Sequence, residues 1–90
     1  MMGVDPFRDS SDDVRASARA PFAVAPHDTA ELPVVPKALF VGTGGQVTLR
    51  GVDGTADVVF KNVGSGQVLD VRARFVRATG TTAADIVGLA

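Results

Sequence analysis

Apolar and polar side chains alternate most regularly between Leu69 and Phe75, where Leu69, Val71, Ala73 and Phe75 are separated by Asp70, Arg72 and Arg74. A period of two places one set on each side of an extended chain, so the spacing predicts a half-buried β-strand. At Phe75-Val76 the phase slips, and Val76 and Ala78 carry the apolar set on with the opposite parity. A β-bulge, or a strand covered on both faces, produces that pattern. Thr79-Gly80-Thr81-Thr82 supplies turn chemistry, and Asp85-Ile86-Val87-Gly88-Leu89 returns as a short closing strand.

Upstream, Ala38-Leu39-Phe40-Val41 is a continuous apolar run ended by Gly42-Thr43-Gly44-Gly45, and Gln46 to Arg50 alternates again. These segments predict two strands joined by a glycine-rich hairpin turn. Gly51-Val52-Asp53-Gly54 contains an Asp-Gly turn signal, Ala56 to Lys61 reads as a third strand, and Gly64-Ser65-Gly66 breaks the chain before the long one. Strands recurring about every ten residues predict an all-β fold, a small antiparallel β-sandwich or barrel of about five strands, over residues 37–90.

Residues 1–36 have a different character and read as an extended N-terminal arm. All five prolines, Pro6, Pro21, Pro26, Pro33 and Pro36, fall within it, and proline both removes an amide donor and turns its predecessor away from helix. The sequence allows one short helix over Asp12 to Arg19, with Ser10 and Asp13 loosely placed as a capping box. The second half carries Phe22, Val24, Leu32, Val34 and Val35. So many apolar groups require a surface to cover them, either the chain's own β-domain or a neighbouring subunit. Phe22, Val24, Leu32 and Val35 are the expected anchors.

Composition sharpens this picture. The chain has 90 residues, a formal charge of −1, five Phe, no Trp or Tyr and no Cys. Near-neutral charge argues against a general nucleic-acid binder, and the absence of Cys removes disulfides and thiolate metal sites. No stretch approaches the ~20 apolar residues of a membrane span. Met1 to Pro6 meets an acid and a proline before any apolar run, so a signal peptide is not expected and the chain reads as soluble and made in the cytoplasm. A β-domain of about 54 residues without disulfide or metal has a core supplying only about 3–5 kcal/mol. Burying strand edges and the arm against identical copies would supply the rest, which predicts an obligate homo-oligomer.

Catalytic chemistry is not in evidence, and no catalytic, cofactor or metal residue is assigned. His27-Asp28 has no second His, and its nearest hydroxyl is Thr29 of the same loop, so a triad would have to be assembled from elsewhere and the segment reads as a loop. Gly42 to Gly45 has no following Lys-Ser/Thr, and Val47 stands where a dinucleotide fingerprint needs its third glycine. Asp5, Asp9, Asp12 and Asp13 lack calcium-loop spacing. Arg72, Arg74 and Arg77 form the best candidate binding surface, Arg72 and Arg74 sharing one strand face; cross-strand ion pairing with Asp57 or Asp70 is the structural alternative.

Three stretches carry a resemblance: Phe22-Ala23-Val24-Ala25-Pro26-His27-Asp28-Thr29-Ala30-Glu31-Leu32; Pro36 to Gly45; and Val71-Arg72-Ala73-Arg74-Phe75-Val76-Arg77-Ala78-Thr79-Gly80-Thr81-Thr82-Ala83 with the Asp85-Ile86-Val87 closure. Over about residues 20–90 the chain resembles the spike base proteins of gene transfer agents and related tailed-phage particles. The resemblance implies a virion component on the head surface, synthesised in the bacterial cytoplasm. Its expected partners are further copies of itself, with a pentamer favoured, the major capsid protein at a vertex, and a receptor-binding spike or fibre; Phe22, Val24, Leu32 and Val35, packed on an adjacent subunit or on the capsid, and Arg72 and Arg74 are the expected interface residues. Two other readings stay open: a tail or baseplate structural component, and a small glycan-binding β-module acting through Arg72 and Arg74.

Overall fold

The computed structural model describes residues 17–90. The short helix expected over Asp12–Arg19 lies largely outside the described residues. The strands are β1 (Phe22–Ala23), β2 (Ala38–Thr43), β3 (Gly45–Gly51), β4 (Val58–Val63), β5 (Gln67–Leu69), β6 (Ala73–Val76) and β7 (Ala84–Leu89). They form two antiparallel sheets, one ordered β1-β7-β2-β5 and the other β4-β3-β6. The fold is the expected all-β sandwich.

The continuous apolar run in β2 resolves into two faces: Leu39 and Val41 are fully buried while Phe40 between them faces out. Leu69 and Ile86 from the same sheet meet Val47, Leu49, Val63, Ala73 and Val76 from the other, with Ala83 and Val24 completing the core. Asp85 adopts a positive φ of 55° within β7 and stands opposite Gly42, where any Cβ would collide with the Asp85 carbonyl. Gly42 is therefore fixed by close backbone approach, and Thr43 Oγ1 donates to the Asp85 carboxylate at 2.8 Å beside it.

Two strand expectations are corrected. The long alternating strand from Leu69 is divided: Leu69 ends β5 in one sheet, and Ala73 begins β6 in the other. The Val71 N–H donates to the Leu69 carbonyl at 2.9 Å, a tight bend that turns the chain across the sandwich. Alternation shows which side chains face the core, and the core lies between both sheets, so the pattern runs through the corner undisturbed. The slip of phase is real, since Ala73 and Val76 are both buried and the β3–β6 register shifts between Arg50 and Gly51. With the split, six strands follow Lys37, and β1 makes a seventh.

The second correction concerns Gly42 to Gly45. β2 and β3 do not pair with each other; they belong to different sheets. Gly44 forms a sheet-crossing corner instead of a hairpin turn. A side chain there would strike the Val63 carbonyl, and its N–H donates to Ser65 Oγ at 2.8 Å. The hairpin at Gly51–Gly54 does form, between β3 and β4, closed by the Gly54 N–H to the Gly51 carbonyl at 3.0 Å.

The apolar segment before residue 37 lies along the chain's own sandwich. β1 pairs with β7, placing Phe22 opposite Gly88, and the Phe22 ring fills the space a Gly88 side chain would need. Val24 N–H donates to the Ile86 carbonyl, then His27 N–H to Val76 and Leu32 N–H to Arg74, each at 2.9 Å. The segment thus covers the β6 edge that β3 leaves free.

Candidate functional site

The outer face of the β4-β3-β6 sheet brings together Arg77 and Asp57, two of the charged residues that sequence reasoning singled out, with Asp28 at its edge. Phe75 on β6 stands opposite Arg50 on β3, and both Arg50 and Arg77 place their guanidinium groups over its ring, at 5.3 and 4.0 Å. Arg77 Nε donates to both Asp57 carboxylate oxygens at 3.1 and 3.2 Å, and one terminal nitrogen donates to the Asp28 carbonyl at 2.6 Å. Arg50 Nε stands 3.8 Å from Asp57 as a second, looser cation. Arg77 is thus satisfied by the ring, the carboxylate and a carbonyl, whereas Arg50 Nε is buried with no hydrogen-bond partner among the described residues. Ion pairs and cation–ring contacts such as these contribute about 0.5–1 kcal/mol each at half-exposed positions, and here they also tie β3, β6 and the loop before β4 together.

Beside this cluster an open cleft of about 580 Å³ is lined by Asp28, Gln46, Thr48, Thr79 and Gly80 together with Asp57, Val59 and Arg77. Gln46 Nε2 and Thr48 Oγ1 both donate to the Gly80 carbonyl at 2.8 Å. Asp28 accepts the Thr79 N–H at 2.7 Å and the Thr79 hydroxyl at 2.8 Å. The cleft's polar groups thus bond chiefly to one another. Among the described residues no three His, Asp or Glu side chains gather into a metal site. No described helix is long and apolar enough to cross a membrane.

The Thr79 N–H, then its hydroxyl, with the Ala78 N–H and His27 adding to them, hold the Asp28 carboxyl below the usual carboxylate range. A depressed folded pKa means that this clip is fully formed above the ordinary carboxylate value and is lost as pH falls through the lower one. In an NMR pH series the Thr79 amide should therefore keep its hydrogen-bonded shift until pH drops below that range. In Asp28→Ala the shift should be absent at every pH. A Thr79 shift that moved with the bulk of the carboxylates would contradict this.

The expected interface residues are not brought to one place. Val24 is a core residue, while Phe22 and Leu32 are partly buried against that core. Val35 is half-buried and Arg72 exposed. Arg72 lies in the corner before β6 and Arg74 inside it, so the two do not share a strand. Arg74 Nε is 3.9 Å from Glu31, and of the three arginines Arg77 is the one that reaches Asp57. Sequence reasoning missed the Asp28–Thr79 clip and the stacking on Phe75; both join residues far apart in the chain, with no local spacing to announce them.

A different surface covers the outside of the four-stranded sheet. Val68 stands opposite Phe40, Phe40 opposite Val87, and Val87 opposite Ala23, so one apolar row crosses all four strands. Val68 is 50% exposed and Phe40 36%.

No protein-family model matches the chain, and no curated protein does. Among solved structures, a chain from the one described as "Capsid of native GTA particle computed with C5 symmetry" superimposes with a TM-score of 0.81 and is 36% identical, the match covering 97% of this chain and 100% of that one. Identity of that order over both whole chains, on a shared sandwich, marks common descent: the chain belongs to the family represented by that GTA capsid component.

Proposed function

We propose that the protein is a structural virion component: the base of a head spike, which assembles as a fivefold ring of identical copies on a capsid vertex and attaches a receptor-binding fibre. The observation that carries this reading is full-length similarity, at 36% identity, to a chain of a GTA particle capsid treated with C5 symmetry. The chemistry agrees with it. Polar groups of the cleft bond to one another, whereas an apolar row on the four-stranded sheet is left uncovered by the described residues.

In this reading the work is mechanical. A stiff, twice-layered module transmits load between a capsid vertex and a fibre, and its affinity comes from buried contact area. Val35, Arg72 and Arg74 remain at least partly open to neighbours and take part in those contacts. Phe22, Val24 and Leu32 hold their segment to its own sandwich. Immunogold labelling of intact particles with an antibody to this chain tests the assignment. Gold on the heads, clustered at vertices, is expected; gold confined to the tails would make the chain a tail or baseplate component instead.

A further inference from the structure

A ring of identical subunits closes only through a heterologous contact, in which one patch on each copy meets a different patch on the next. The chain carries two such patches on different sheets. One is the apolar row on the outside of the four-stranded sheet, centred on Phe40 and Val68, with exposed Asp70 two residues beyond Val68. The other is β4, the outermost strand of the three-stranded sheet, with Val58 and Val59 at 55 and 44% exposure and Lys61 exposed two residues beyond Val59.

Four of the five exposed large hydrophobic side chains lie in these two patches, Val34 being the fifth. Their charges are complementary, with an acid beside one and a base beside the other. Among the described residues neither Asp70 nor Lys61 has an ion-pair partner within the chain. The β4 edge is also shaped against open-ended strand addition. Asn62 has a positive φ of 60°, the β3–β4 register shifts beside it, and Lys61 charges the edge, devices that stop a sheet from growing indefinitely. What remains available there is side-chain packing through Val59 on the outer face of β4, Val58 beside it pointing to the opposite face.

We infer that β4 of one copy docks, through Val59, on the Phe40–Val68 face of the next copy, with Lys61 of the first, on the same side of β4 as Val59, paired to Asp70 of the second. This rests on the ring reading above. A single aromatic at the centre of such a contact commonly dominates its affinity, so Phe40 is the first residue to alter.

The test uses native mass spectrometry and sedimentation of the full chain, with circular dichroism confirming that each variant keeps its fold. Phe40→Asp and Val59→Asp, both outward-facing, should each weaken self-association by about tenfold or more. Mixed together they should form a 1:1 heterodimer that grows no further, because each variant retains one intact patch. Lys61→Asp should weaken assembly, and adding Asp70→Lys in the same chain should restore it. If the wild-type chain forms its ring and neither Phe40→Asp nor Val59→Asp disturbs it, the proposed contact is wrong while the ring stands. A heterodimer that does not form on mixing the two variants likewise overturns the heterologous pairing. A wild-type chain that stays monomeric overturns both the contact and the ring.

Discussion

A chain shortened to begin at Lys37 will not hold the native fold. The lost segment supplies Val24, one of the core side chains, and Phe22 and Leu32, which pack against that core. It also supplies the pairing of β1 with β7 and the amide donors to Ile86, Val76 and Arg74. Burying one valine fully is worth about 1.5–3 kcal/mol, and a single core in a domain this small yields about 3–5 kcal/mol in total. The deletion therefore removes an amount comparable to the whole stability, and it exposes β6 and β7 as raw edges. Circular dichroism and amide dispersion in NMR should show a chain without cooperative thermal unfolding. A sharp melting transition in the shortened chain would refute this expectation.

Leu39→Ala should cost about 2–5 kcal/mol, the range for truncating a buried leucine, and leave a chain largely unfolded at room temperature. Leu39 is 0% exposed and stands between Leu69 and Gly88 in the middle of its sheet. Its neighbour Phe40 points the opposite way and loses only cross-strand contacts with Val68 and Val87, so Phe40→Ala should shift the stability of the isolated subunit by less, about 1 kcal/mol. The contrast between adjacent positions is the measurement. Urea titrations followed by far-ultraviolet circular dichroism suit a chain without Trp or Tyr, and equal midpoints for the two variants would contradict the assigned faces.

Those two positions also show what was legible in the sequence. Local signals found the elements: the Asp-Gly pair marked the turn at Gly51–Gly54 and a short apolar run the closing strand, but the unbroken run from Ala38 to Val41 carried no alternation to separate Leu39 and Val41 from Phe40. Alternation could not tell which sheet a strand joins, because Leu69 and Ala73 face the same core from opposite layers. Glycine at Gly44 is required by a corner as much as by a hairpin, and composition alone does not separate them. The Asp28–Thr79 clip joins positions 51 residues apart, beyond the reach of any spacing rule. Asp57 was named as an ion-pair partner for the arginines and Arg77 does reach it, but Arg50 and the Phe75 ring beneath both cations were not, since the ring becomes their platform only after β3 and β6 are side by side.

The place of β7 in its sheet bears on how the protein comes to be folded in a cell. β7 follows every other strand in the sequence, yet it lies inside the sheet between β1 and β2. Neither of those neighbours can complete its pairing until β7 has been synthesised, so emerging chains wait with their apolar strands uncovered. Most connections also cross between layers, and such distant pairings close slowly. Production of this subunit is thus most exposed to aggregation during translation, before folding, and lowering the growth temperature or slowing expression should raise the yield of native protein more than altering its surface would.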